Sequence, residues 1–440
     1  MSPPTPVRTS YQRHRPVADP LRAVTPGGPV GVSAHPVVRW AFYLFVASIP
    51  FEYPDRSIPL EITTITGCGF LLATLIQPRR CFEVVPAALW CFGAFLYLFW
   101  VAFVLGGGAY PDEALKSFAT YLLLVLIFWA AYNLMREDRI ATRALLTLGI
   151  AVFALALLTV GGAVGLNPDW AKESGRVTLF GQNANRAGLT LGSGALALVG
   201  LTYARDRKLL RPRVLVWPLL AVIGLALLQG ASRGSLLALV IGLWTFSISG
   251  RTAWVKLRNT VVALFAVGLL AWAGWHSPLA RKRFERVEQL DLSGREEIFP
   301  TAGRMFLERP LTGWGPNQNK YEIAKRLPNS HYTRRDAHNL VLELLTSSGL
   351  LGGTPFLVGT ALCVWGAWRA RRGAHGILPF ALALSLLAAN MSSNYIAFKL
   401  YWLVLAYGAA AGSLVATKHW RPAHVPGLPA HMTARGVRPC

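Results

Sequence analysis

Arg334-Arg335-Asp336-Ala337-His338-Asn339 runs without a break into Leu340-Val341-Leu342-Glu343-Leu344-Leu345, and at that junction a charged stretch becomes an apolar one. Behind it lie residues 277–338, the one long polar segment of the chain; ahead of it apolar residues recur at helical spacing. A histidine beside arginines, where a soluble segment re-enters a membrane, is placed for chemistry on charged lipid headgroups.

The rest of the chain reads as membrane. Of 440 residues 53% are hydrophobic and only 15% are charged, whereas a soluble protein carries roughly a quarter charged residues. A spanning helix needs about 20 mainly apolar residues. Twelve segments meet or approach that length, near 37–53, 59–77, 85–105, 115–135, 141–163, 186–205, 214–230, 234–249, 259–276, 349–369, 376–394 and 397–416. The expected fold class is an all-α polytopic membrane protein of about twelve transmembrane helices, with one large loop between helices 9 and 10. Its divisions are an N-terminal disordered tail over 1–36, helices 1–9 over 37–276, the large loop with its catalytic end over 277–348, helices 10–12 over 349–417, and a C-terminal tail over 418–440.

A net charge of +23 could signal nucleic acid, but its distribution excludes that partner. Arg8, Arg13, Arg15 and Arg22 precede the first span, and Arg79-Arg80 follow the second. Arg136, Arg139 and Arg143 follow the fourth, Arg205 to Arg213 the sixth, Arg251 to Arg258 the eighth, Arg369 to Arg372 the tenth, and Lys418 and Arg421 the last. Every second loop is basic, as the positive-inside rule requires. Both termini are therefore expected in the cytoplasm, with 277–338 on the outer face. The first 36 residues lack an apolar run and read as a tail, not a signal peptide. The five cysteines avoid the large loop and imply no disulfide framework or thiolate metal site.

With that topology the candidate chemistry emerges on one side. Arg176, Asn183 and Arg186 follow the fifth span or open the sixth, within Arg176-Val177-Thr178-Leu179-Phe180-Gly181-Gln182-Asn183-Ala184-Asn185-Arg186. Arg233 occupies the short turn Gln229-Gly230-Ala231-Ser232-Arg233-Gly234-Ser235; an arginine there is costly if it faces lipid, and its guanidinium fork suits phosphate oxygens. The large loop adds Ser293-Gly294-Arg295, Arg304, Pro310-Leu311-Thr312-Gly313-Trp314-Gly315, and Arg335 with His338-Asn339. Plainer roles compete: an interfacial arginine can snorkel to lipid phosphate, Gly313-Trp314-Gly315 can be a tight turn with a packed aromatic, and a histidine at a helix start can cap or pack. The loop carries twelve Lys or Arg against eight Asp or Glu, net +4, much of it a solvated ion-paired surface. No phosphate-binding glycine loop, nucleophile elbow or metalloprotease motif is present. The outer histidines His276, His331 and His338 lack a carboxylate pattern, so no metal and no cofactor is expected.

The ordered series Phe180-Gly181-Gln182-Asn183-Ala184-Asn185, Gly230-Ala231-Ser232-Arg233-Gly234, Ser293-Gly294-Arg295, Pro310-Leu311-Thr312-Gly313-Trp314-Gly315, and His338-Asn339 with Glu343 and Gly349 resembles the O-antigen ligase and polymerase superfamily, over about residues 170–370. The resemblance implies a bacterial inner-membrane, GT-C-like glycosyltransferase whose large loop and active site face the periplasm. It implies a glycan donor on undecaprenyl diphosphate, a lipid A–core oligosaccharide acceptor for the ligase branch, contact with membrane lipids, and no metal. Carried over by residue, the required histidine is His338 and the turn arginine is Arg233, with Arg186 a looser match. Arg176, Asn183, Arg295, Arg304, Arg335 and Asn339 are the expected binding residues for diphosphate or acceptor. Polymerase and protein O-oligosaccharyltransferase are the alternatives within the class. A lipid or polysaccharide transporter is the alternative outside it; it calls for polar residues along the middle of several spans, which the sequence does not show.

Overall fold

The computed structural model describes residues 33–52, 61–162, 183–203, 215–230, 232–249, 252–276, 294–328 and 333–418. Among them the chain is helical, with no strand. The helices are α1 (Pro36–Ser48), α2 (Ile62–Thr74), α3 (Ala87–Leu105), α4 (Pro111–Met135), α5 (Asp138–Val160), α6 (Ala184–Tyr203), α7 (Val216–Gly230), α8 (Arg233–Thr245), α9 (Ala253–His276), α10 (Arg295–Glu308), α11 (Gln318–Arg326), α12 (Leu340–Arg369), α13 (Leu378–Asn390) and α14 (Lys399–Lys418). Short turns of helix at Pro78–Cys81, Ile49–Phe51, Phe246–Ile248 and Ala370–Arg372 complete the described elements.

Each apolar segment of the sequence contains one of these helices, but their lengths differ. Among the described residues four are long and apolar enough to cross a membrane: Ala87–Leu105, Pro111–Met135, Asp138–Val160 and Leu340–Arg372. Helices α1, α2, α7, α8 and α13 have only 13 to 15 residues, about 20–23 Å at 1.5 Å per residue. Of these, α1, α2, α8 and α13 adjoin the polar junctions described below. Outward faces are apolar too. On α3, Trp90, Tyr97 and Val104 recur every seven residues and are 74%, 72% and 68% exposed, while Phe92, Phe95 and Phe99 on its other side are buried. A helix apolar all round, half of it facing outward, is what lipid solvent selects. This is a multi-pass membrane protein.

Helix α12 packs along α3 and α14, and α14 along α4. Phe92, Phe128, Phe356 and Trp402, one from each of these helices, form a fully buried aromatic cluster, with Phe92 and Trp402 centroids 4.9 Å apart. Gly408 and Gly412, four apart on α14, bring its backbone onto α12: a Cβ on Gly412 would stand 2.6 Å from Gly366, the close approach that small residues permit between membrane helices. In a second group α6 packs against α5, α7 and α8, and α13 joins α8 and α6 to α14.

Sequence reading treats 277–348 as one loop. Within its described residues, 294–328 and 333–348, α10 and α11 pack around Ile298, Ala302, Met305, Ile323 and Ala337, with Trp314 and Leu342 alongside. Trp314 lies between the guanidiniums of Arg309 and Arg326, 4.2 and 4.4 Å from its ring, and its Nε1 donates to Met305 O at 2.9 Å. Gly313-Trp314-Gly315 is thus a tight turn holding a packed aromatic. That turn docks on α12, where Trp314 N donates to Thr346 O and Leu351 N to Leu311 O. The docking coincides with a break in α12 at Gly349, φ 60° and ψ −162°, where a Cβ would run into the Leu311 carbonyl. Leu340–Ser348 is consequently a separate helical turn-pair beneath the loop, and the apolar span proper begins at the break.

Candidate functional site

The starts of α6, α8 and α12 meet the short connection after α13, residues 391–395. Ser232 caps α8, its Oγ accepting from Ser235 N at 3.3 Å. The same hydroxyl donates to Asn185 Oδ1 at 2.7 Å, Ser235 Oγ donates to Asn185 O at 2.7 Å, and Asn185 Nδ2 donates to Ser393 Oγ at 3.3 Å. Gly234 leaves room for the Ser392 hydroxyl. The Ser-Arg-Gly-Ser turn therefore stitches three chain segments together, and the stitching fixes Arg233 at the first position of α8.

Arg295 opens α10 and reaches the same connection. Its Nε and Nη2 donate to Ser392 O at 3.3 and 2.8 Å. Burial and then the charge of Arg233 pull its pKa down, and Arg335 acts in the same sense. Arg335 itself has Nη2 3.7 Å from where a Cβ on Gly294 would stand. Arg295 thus feels the positive charge of both Arg233 and Arg335, and a guanidinium fork is suited to phosphate oxygens.

His338 stands beside them, with φ 51°. Burial holds its imidazole below the ordinary 6.5; Asp336 opposes that shift, while Arg295 and Arg335 add to it. The group is neutral near pH 7 and able to accept a proton. Arg334, the other arginine of this segment, pairs with Glu113 at 3.5 Å.

The remaining expected residues have partners of their own. Arg186 lies 3.6 Å from Glu52 Oε1 and over the Phe398 ring at 4.9 Å. Glu52 is also held by Lys399 at 2.9 Å, and Lys399 reaches Glu61 at 2.6 Å. Two carboxylates, Glu52 beyond the end of α1 and Glu61 just before α2, and two cations, from α6 and α14, thus form one charge-balanced group. Asn183 and Asn339 serve helix starts: Asn183 Oδ1 accepts from Asn185 N at 2.8 Å, and Asn339 Oδ1 accepts from Val341 N and Leu342 N while its Nδ2 donates to Met391 O at 3.2 Å. Arg304 is exposed and lies nine residues beyond Arg295, which is about half a turn round the helix and ~13 Å along it. The structure does not bring it to the cluster. Arg176 lies outside the described residues.

Sequence reasoning passes over Glu52, Glu61, Lys399 and the 391–395 connection as participants. Lys399 carries the signal that could have found them, a lone cation inside an otherwise apolar segment. Among the described residues no group of three His, Cys, Asp or Glu is arranged to hold a metal ion.

Residues 218–357 match a family model described as O-antigen ligase. Over this stretch the match supports the O-antigen ligase and polymerase superfamily. No curated protein matches the chain. The ligase-family domain runs from α7 into α12 and contains Arg233, Arg295, Arg335 and His338, whereas Arg186 and the 391–395 connection lie outside it. Members of the family are glycosyltransferase-like ligases and polymerases acting on lipid-linked polysaccharide.

Proposed function

We propose that the protein is an O-antigen ligase of the bacterial inner membrane, transferring glycan from undecaprenyl diphosphate to lipid A–core at the periplasmic face. The topology that goes with this reading has about twelve spans, both termini in the cytoplasm, and the helices α10 and α11 in the periplasm. The observation that carries it is the gathering of Arg295, with Arg233 and Arg335 near it, beside His338, from three separate parts of the chain. The arginines hold the diphosphate, whose negative charge grows as it leaves the sugar C1. His338 takes the proton of the acceptor hydroxyl as that oxygen attacks C1, an inverting displacement needing no metal. Arg186, paired with Glu52 beside the Asn185–Ser393 contact, is assigned to the donor side of the site. The net basic loop suits a phosphorylated acceptor.

Deletion of the gene separates the readings within the class. Loss of ligation leaves full-length polymer on undecaprenyl diphosphate and bare core. Core capped with a single repeat assigns the protein as a polymerase, and unchanged lipopolysaccharide with unglycosylated protein assigns it as a protein glycosyltransferase.

A further inference from the structure

His338 stands on a strap, residues 334–339, whose neighbours are tied down one after another. Arg335 N donates to Lys320 O at 2.9 Å. Asp336 Oδ1 pairs with Lys320 Nζ at 2.9 Å. Ala337 N donates to Glu343 Oε2 at 3.0 Å, and Asn339 caps α12. The imidazole of His338 makes no hydrogen bond to another described residue. Glu343 and Lys320 belong to one buried arrangement: Glu343 Oε1 accepts from Asn319 Nδ2 at 3.2 Å and lies 4.0 Å from Lys320 Nζ, and the same Asn319 nitrogen donates to Thr346 Oγ1 at 3.1 Å. Glu343 is 7% exposed and Asn319 is 0% exposed.

The geometry points to Glu343 and Lys320 as positioning residues for His338: between them they fix the backbone at Arg335 and Ala337 and the Asp336 side chain, and so set where the imidazole stands. The strap needs such an external hold, because a left-handed φ at a residue other than glycine persists only when its surroundings impose it. A plainer role exists for Glu343, since a carboxylate in the first turn of α12 is favoured by the helix dipole. That role concerns folding alone. The positioning role concerns turnover, because displacement of a reacting group by about 1 Å can cost on the order of 100-fold in rate. The inference rests on His338 being the proton acceptor.

The test uses purified full-length protein in lipid nanodiscs, with undecaprenyl diphosphate as the binding probe and transfer from lipid-linked glycan as the turnover assay. Glu343→Gln keeps the side-chain size but turns an amide NH2 toward Asn319 and removes a charge facing Lys320. Turnover per folded molecule is expected to fall about 10- to 100-fold, with affinity for undecaprenyl diphosphate unchanged. Adding Asn319→Asp returns the carboxylate beside Lys320 and gives the new amide an acceptor, so the double variant recovers most of the turnover. Normal turnover per folded Glu343→Gln molecule, or a double variant no better than the single, overturns the proposal. If Glu343→Gln does not fold, Lys320→Met, which leaves the Ala337 bond intact, is read by the same two measurements. His338→Ala run in parallel separates the layers. An active His338→Ala protein removes the reading of His338 itself; an inactive one beside an active Glu343→Gln protein removes only the positioning role.

Discussion

Replacing Lys399 by methionine tests the buried charge group at the mouth of the bundle. Lys399 is 5% exposed and Glu52 is 3% exposed, with contacts of 2.9 Å to Glu52 and 2.6 Å to Glu61. Removing one member of a buried ion pair costs about 3–5 kcal/mol, because the partner charge stays buried without its countercharge. Two features place this case at the lower end. Arg186 still stands 3.6 Å from Glu52, and the Glu61 side chain is 19% exposed, so solvent screens it. The expected loss is about 3 kcal/mol. Adding Glu61→Gln to Lys399→Met leaves Glu52 and Arg186 as a balanced pair, and the remaining cost is about 1 kcal/mol for lost hydrogen bonds. Denaturant unfolding in mixed micelles of the wild type, both single variants and the double variant gives the coupling. A loss under about 1 kcal/mol for Lys399→Met, as for a surface pair, or additive single effects, would refute the description of these residues as one buried group.

Gly349→Ala is expected to destabilise the protein by about 3 kcal/mol or more, since φ 60° with ψ −162° is a region open essentially only to glycine and the Leu311 carbonyl blocks the added methyl; thermal unfolding shows this as a large fall in Tm. Arg233→Lys is expected to fold normally and lose about 30- to 1000-fold in transfer, or ~2–4 kcal/mol, because an ammonium cannot reproduce a two-pronged phosphate contact; transfer assays at saturating donor measure it. In the pH profile of kcat, the active form of His338 is the neutral one, and burial holds its pKa below 6.5. Activity is therefore level above that value and falls only in more acid solution. Asp336→Asn removes the charge that opposes the shift and moves this limb further toward acid, whereas a midpoint above 6.5 in the wild type contradicts the assignment.

The parts legible in the sequence are those written in local pattern. Apolar runs placed the helices, and a span beginning at residue 349 coincides with the break at Gly349. The short turn holding Arg233 reads as the link between the seventh and eighth spans, where α8 begins. Glycines flanking Trp314 marked a turn around a packed ring. Pattern fails where partners are remote. Glu52 and Lys399 are separated by 347 positions, and no periodicity links them. Helices α10 and α11 bury one face each against the loop's own small core, a weaker signal than a membrane span, so their stretch reads as loop. Asn183 and Asn339 have side chains equally suited to a ligand and to a cap, and only the geometry shows the caps.

The most direct test of the account is turnover per folded molecule of His338→Ala, measured together with its affinity for undecaprenyl diphosphate. Loss of a general base lowers the rate by about 10²–10⁴, while the diphosphate remains held by Arg233, Arg295 and Arg335. The predicted result is therefore near-abolished transfer with donor affinity little changed. A His338→Ala protein that is less abundant but turns over normally contradicts the account, and leaves His338 a packing residue at the start of α12.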